Sequence, residues 1–181
     1  EKWVDRDNLD EGDELIAVRL TDGEREITII TERGQSIRFS EEEIRPQGRT
    51  TRGVKGITLR SGDQVVAMDV VKNDAELLVV TENGFGKRTP FDQYRVQSRG
   101  GIGIKTLKLT EKNGKIIGGR VVYPEHELML INASGMIIRV TVKSIPSMGR
   151  DTQGVKIMRL DDEDRVVALA RVVSRAEEDG E

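Results

Sequence analysis

The chain has no cysteine, a single histidine, four prolines and only 3% aromatic residues among 181. Without cysteine there are no disulfides, no thiolate metal sites and no thiol nucleophile, a usage that fits a cytoplasmic protein. His126 stands alone, so no multi-histidine site can form, and it reads as a surface residue. No apolar run approaches the roughly 18 residues of a bilayer crossing, and no N-terminal stretch couples basic residues to an apolar core as a secretory leader does. The phosphate loop Gly-x-x-x-x-Gly-Lys-Ser/Thr is missing, as are the Gly-x-Ser-x-Gly elbow and His-Glu-x-x-His. Arg99-Gly100-Gly101-Ile102-Gly103 is glycine-rich, but a strand pattern follows it where a dinucleotide site needs a helix. Asp161, Asp162 and Asp164 lack the glycine and distal glutamate of a calcium loop and read as a solvated turn. No catalytic residue, no metal site and no cofactor are expected in this segment.

What the chain does have is a threefold repeat. Thr31-Glu32-Arg33-Gly34-Gln35-Ser36-Ile37-Arg38 returns as Thr81-Glu82-Asn83-Gly84-Phe85-Gly86-Lys87-Arg88, then as Asn132-Ala133-Ser134-Gly135-Met136-Ile137-Ile138-Arg139. A period near 50 residues means one supersecondary unit stacked on copies of itself. The apolar residues come in strand-length runs rich in valine and isoleucine: 64–71, 76–81, 85–89 and 103–109 in the second copy. Asn83-Gly84, Arg33-Gly34 and Ser134-Gly135 supply hairpin turns, and Asp22-Gly23 marks a further one. Glu41-Glu42-Glu43 is the one expected helical turn, capped by Ser40. Four short strands per copy is the signature of a propeller-like blade. The expected fold is all-β, a propeller-like β-pinwheel of about three to four blades of four short antiparallel strands. Its domain spans 1–175, with repeats at about 12–61, 62–111 and 112–162, a closing strand at 163–173, and an acidic tail at 176–181.

The net charge of −3 conceals a partition. Ile44 to Leu160 carries 20 Lys+Arg against 10 Asp+Glu, while the flanks carry 9 against 22. A basic middle between acidic ends suggests a polyanion partner. The basic residues recur with the repeat: Arg38, Arg88 and Arg139; Arg49, Arg99 and Arg150; Lys55, Lys105 and Lys156. Arg52, Lys87 and Lys108 add to them. Spaced one blade apart, these twelve residues are the candidate contacts of a basic belt along a rim. Glycines beside them let backbone approach a phosphate chain. Duplex DNA bent along such a belt is the natural guest. Single strands fit less well, because Trp3, Phe39, Tyr94 and Tyr123 do not recur at the blade period and offer no stacking series. No recognition helix for the major groove is present.

At these residues the chain resembles the C-terminal domain of the DNA gyrase A protein. Gly48-Arg49-Thr50-Thr51-Arg52-Gly53-Val54-Lys55-Gly56, Gly84-Phe85-Gly86-Lys87-Arg88-Thr89-Pro90, Gln97-Ser98-Arg99-Gly100-Gly101 and Gly149-Arg150-Asp151-Thr152-Gln153-Gly154-Val155 are similar to that family's repeats. The resemblance implies a six-bladed β-pinwheel whose neighbouring blades exchange a strand. It implies that duplex DNA wraps on the rim, supporting ATP-dependent negative supercoiling by a holoenzyme that includes the gyrase A N-terminal domain and the gyrase B protein. ATP, magnesium and the cleavage tyrosine are then expected on other domains, and neither Tyr94 nor Tyr123 is that nucleophile. The family's glycine-rich box is degraded at Gln97 to Gly103, where Ser98 and Ile102 replace basic residues. An intact box is expected upstream of Glu1, which makes the chain the C-terminal part of the domain. The alternatives are the equivalent C-terminal domain of topoisomerase IV and, from another class, a kelch-like protein-interaction propeller. The latter is disfavoured by the lack of recurring Tyr and Trp.

Overall fold

At Gly34, Gly84 and Gly135 the backbone takes φ of 84°, 77° and 88°, a left-handed conformation open to glycine without penalty. Each closes a tight hairpin, at the positions expected from the repeat. The computed structural model describes residues 9–48 and 51–172. Its strands are β1 (Glu26–Thr31), β2 (Gln35–Ser40), β3 (Val65–Val70), β4 (Glu76–Thr81), β5 (Phe85–Pro90), β6 (Ile104–Lys105), β7 (Ile116–Val122), β8 (Glu127–Asn132), β9 (Ile137–Thr141), β10 (Val155–Lys156) and β11 (Val166–Val172). The expected turn at Glu41–Glu43 is a single 3₁₀ turn, with Ser40 Oγ accepting from the Glu42 amide at 3.2 Å. Two further 3₁₀ turns, Phe91–Gln93 and Val142–Ser144, occupy the same place after the second and third hairpins. They have no side-chain cap, which is why the sequence pattern does not announce them.

The strands form three antiparallel sheets in the orders β3-β1-β2-β6, β7-β4-β5-β10 and β11-β8-β9. At the centre of each is one hairpin. Its flanking strands belong to the next copy: β3 and β6 bracket the second hairpin in sequence yet pair with the first. A blade in space is therefore offset from the repeat in sequence. Strands β3, β7 and β11 pack side by side at one end of their sheets, and residues 16–19 join them around a cavity of about 280 Å³. The short strands β6 and β10 lie at the opposite, outer edge of theirs.

The run Glu76-Leu77-Leu78-Val79-Val80-Thr81 shows why β4 lacks polar alternation. Leu77 and Val79 pack into a cluster with Ile30, Ala67, Leu107 and Ile116. Leu78 and Val80 face the other way, into a cluster with Leu128, Leu130, Ile145 and Val166. Side chains on alternate faces of the middle blade meet both neighbouring blades, so both faces are apolar.

Two expectations need correction. The fourth run, 103–109, is a strand only at Ile104–Lys105. Beyond it Thr106 turns inward to the Tyr94 hydroxyl at 2.5 Å, and Leu107 is buried beside it, so period two ends there. His126 is buried, not on the surface. Its Nδ1 accepts from the Tyr123 amide at 3.0 Å, and its ring stands edge-on to Tyr123 at 5.3 Å. Trp3, Arg49 and the acidic tail at 176–181 lie outside the described residues.

Candidate nucleic-acid interface

The outer strands β6 and β10 each carry a lysine with an exposed side chain, Lys105 and Lys156, and Lys55 occupies the matching place in the first copy, also exposed. A long connector leads from each 3₁₀ turn to this outer edge, and its arginine holds the lysine of the copy before. Arg99 Nη1 donates to Lys55 O at 2.6 Å, and Arg150 Nη1 donates to Lys105 O at 3.0 Å. The Arg99 amide also donates to the Glu43 carboxylate at 2.8 Å. Each arginine thus fixes a lysine's backbone and leaves its ammonium outward. Both remain half-exposed, with N–H groups to spare.

Around these, Arg52 is exposed and meets Asp10 at 3.4 Å, while Lys105 meets Asp151 at 3.2 Å. Exposed pairs of this kind hold their charges weakly and can yield them to a phosphate. Lys156 sits 5.6 Å from the Phe85 ring centre and Lys112 5.7 Å from it, two ammonium groups on one aromatic platform. Lys108 is exposed. Arg159, not among the twelve candidates, is exposed at the corresponding place in the third copy. Aligning Gly103-Ile104-Lys105 on Gly154-Val155-Lys156 puts Lys108 on Arg159, a signal present in the sequence.

Four of the twelve candidates are engaged elsewhere. Arg38, Arg88 and Arg139 each pair with a glutamate twelve residues earlier on the adjoining strand: Glu26, Glu76 and Glu127. Arg38 also donates to Phe91 O and Tyr94 O at 2.8 and 3.0 Å, and Arg88 donates to Ile145 O at 2.7 Å. These carbonyls belong to the next copy's 3₁₀ turn and its end, so the arginines fasten blade to blade. Side-chain exposure records it: 19% for Arg38, 11% for Arg88 and 63% for Arg139, which fastens no following copy among the described residues. Lys87 is fully buried, its ammonium donating to Gly149 O (2.6 Å), Arg150 O (2.7 Å) and Thr152 Oγ1 (3.0 Å). All three of its donors are used. Burial drives its pKa down to about 8, partly opposed by Asp151. In the other copies Ile37 and Ile138 stand at this position, so Lys87 pins one connector from beneath.

Glycine shapes the connectors at two points. Gly103 and Gly154 have φ of 70° and 74°, and a Cβ there would come within 2.6 Å of Ser36 O and 2.8 Å of Gly86 O. The chain turns onto the outer edge through contacts that no other residue fits.

Three offset sheets, the first two with both flanking strands drawn from the next repeat and a lysine on the outer edge, define a β-pinwheel repeat domain. The family model described as the DNA gyrase C-terminal domain, a beta-propeller, matches residues 25–72, 75–122 and 126–172; the chain belongs to that family. Among curated proteins it is 63% identical to the DNA gyrase A protein of Halalkalibacterium halodurans over 91% of this chain, and 50% identical to that of Staphylococcus aureus strain MRSA252 over 94%. The chain spans about a fifth of the length of these relatives. Among solved structures, the C-terminal domain of DNA topoisomerase IV superposes with a TM-score of 0.86 at 26% identity, covering 91% of this chain and 52% of that one. A DNA gyrase A C-terminal domain superposes at 0.79, also with 26% identity, over 83% and 51%.

Proposed function

We propose that this segment binds duplex DNA and bends it along the outer edges of its blades, as the DNA-wrapping part of a DNA gyrase A protein. One observation carries the reading: the same exposed lysine recurs in every copy, on the outer strand of the first two sheets at Lys105 and Lys156, and an arginine of the next copy holds the backbone of Lys55 and Lys105. Point charges at a fixed pitch suit the regular phosphate backbone and carry little base readout. The fold alone does not separate gyrase from topoisomerase IV, since both solved neighbours share 26% identity. The curated relatives at 47–63% identity, each named as a DNA gyrase A protein, favour gyrase.

In the whole protein this wrap would present DNA to a cleavage site on the N-terminal part of gyrase A, in a cytoplasmic holoenzyme with gyrase B. There ATP and magnesium would act on other domains, and chiral wrapping would bias strand passage toward negative supercoils. The test is to close a nicked plasmid with ligase while the segment is bound. A protein-dependent shift in linking number is expected. Retardation on a gel without such a shift would reduce the activity to adhesion, and no binding at low salt would remove it.

A further inference from the structure

Lys87 is the one lysine fully buried among the described residues, and a surface that binds phosphates makes no direct use of it. It stands on β5 opposite Val79, beneath the connector of the next copy. Its ammonium donates to Gly149 O at 2.6 Å, Arg150 O at 2.7 Å and Thr152 Oγ1 at 3.0 Å. The Thr152 hydroxyl gives its own hydrogen to Gly149 O at 2.7 Å, so all three partners meet Lys87 only as acceptors. An ammonium answers three acceptors with three hydrogens. A neutral amine has two, and turns its lone pair toward the third oxygen. The shape of residues 149–152 therefore depends on the charge of a side chain shielded from solvent.

That segment ties together the surface cations of the second junction. Arg150 holds Lys105 O at 3.0 Å, and Asp151 meets the Lys105 ammonium at 3.2 Å. Thr152 O accepts from the Lys108 amide at 3.0 Å, and Gln153 O from Asn113 Nδ2 at 3.1 Å. A shift at residues 149–152 is passed to Arg150, Lys105 and Lys108 together. The first junction is anchored differently. There the Glu43 carboxylate takes the Arg99 amide at 2.8 Å from outside. Ile37 lies beneath, its Cδ1 3.4 Å from where a Cβ on Gly101 would stand. One period on, the glutamate is replaced by Gln93, whose Oε1 takes the Arg150 amide only at 3.3 Å, and the isoleucine by Lys87. An anion outside the first connector is thus exchanged for a cation beneath the second.

We propose that Lys87 is a positioning residue for DNA: its ammonium holds residues 149–152 in the shape that presents Arg150, Lys105 and Lys108 to the phosphates, so that protonation of Lys87 and DNA binding at the second junction strengthen each other. Resting on the DNA-binding reading, this role adds a residue that itself touches no phosphate. The charges that act on Lys87 are Asp151, which favours the ammonium, and Arg150, which opposes it. Val79 across the hairpin is apolar, and Tyr94, which Arg150 also acts on, is pushed up by burial and stays neutral. Burial outweighs these charges and brings Lys87 down to about 8, so the coupling falls below the range where an ordinary lysine titrates, about 10.4. A bound phosphate raises the Lys87 pKa, and by reciprocity the protonated chain binds DNA more tightly by the same factor. One unit charge acting across some 10 Å at an effective dielectric of about 25–50 gives a factor of roughly three to ten.

The test is binding of a short DNA duplex by this chain at low salt, from about pH 7 to 9.5. The unmodified chain should lose roughly threefold to tenfold in affinity across that range. Lys87→Met should bind more weakly by a similar factor at pH 7 and show a flat profile. Asp151→Asn removes the carboxylate that favours the ammonium and should move the midpoint to lower pH. Calorimetry in buffers of different ionisation enthalpy should show the unmodified chain taking up about 0.3–0.5 proton on binding DNA near pH 8.5, and Lys87→Met taking up none. Should Lys87→Met fail to fold, the proton uptake of the unmodified chain and the shifted midpoint of Asp151→Asn decide. Parallel profiles for the unmodified chain and Lys87→Met, an unmoved midpoint, or binding without proton uptake overturn the positioning role and leave DNA binding standing. No retardation of DNA at pH 7 would overturn the DNA-binding reading itself, and this role with it.

Discussion

Replacing Arg88 with methionine separates the blade-fastening role of the repeated arginines from a role on DNA. The Arg88 side chain is 11% exposed and its partner Glu76 13%. Glu76 Oε1 also accepts from Ser147, and Arg88 Nε donates to Ile145 O at 2.7 Å. Methionine keeps the apolar stem but leaves Glu76 buried beside a lone serine. Breaking one partner out of such a pair costs about 3–5 kcal/mol. At roughly 2–4 °C per kcal/mol for a chain of this size, the melting temperature should fall by about 6–20 °C. Arg139→Met removes an equivalent ion pair at 63% side-chain exposure, and an exposed pair contributes about 0–1 kcal/mol. Its melting temperature should move by no more than about 4 °C. Thermal unfolding followed by far-ultraviolet circular dichroism reads both. Adding Glu76→Gln to Arg88→Met should recover part of the loss, because the stranded charge is then gone. Equal melting temperatures for the two single variants, or a DNA salt slope reduced by about one with Arg88→Met while its stability is unchanged, would refute the fastening role.

The outer-edge lysines give the complementary result. Substituting Lys55, Lys105 and Lys156 together with glutamine should lower the salt slope of duplex binding by up to about three with little change in stability, measured by filter binding across salt concentrations. Lys87→Met should flatten the alkaline rise in stability. With the folded-state pKa near 8 and the ordinary value at 10.5, the unfolded chain holds the extra proton between those limits. The unmodified protein therefore gains stability with rising pH there, by up to about 3 kcal/mol relative to the variant. Urea unfolding of both proteins at pH 7.5 and 10 measures this, and parallel profiles would remove the buried charge from the account. Gly84→Ala places a methyl 2.3 Å from Met158 O at positive φ and should cost several kcal/mol. Gly135→Ala has the same backbone strain in open space and should cost about 1–2 kcal/mol.

Hairpins, glycine turns and the all-β class were legible because they are local: a turn dipeptide between two short apolar runs specifies its own pairing. Which sheet the outer strands join was not, because Ile104-Lys105 and Gly154-Val155-Lys156 are too short to carry a face pattern. Their partners lie up to some 70 residues away, at Gln35-Ser36 and Phe85-Gly86. The repeated arginines show how a period alone misleads. Equal spacing places Arg38, Arg88 and Arg139 equivalently but does not say whether they face a ligand or the next blade. The missing signal was in the chain: Glu26, Glu76 and Glu127 recur at the same period, each twelve residues before its arginine, on the strand across the hairpin. A repeating cation with its own repeating anion belongs to the framework. Lys55, Lys105 and Lys156 have no anion recurring at their period; Asp151 meets Lys105 alone, and its counterparts are Thr50 and Gly100. A cation that recurs without an anion recurring beside it is what an extended polyanion would read under the proposed function, and Lys55, Lys105 and Lys156 form such a series in the sequence.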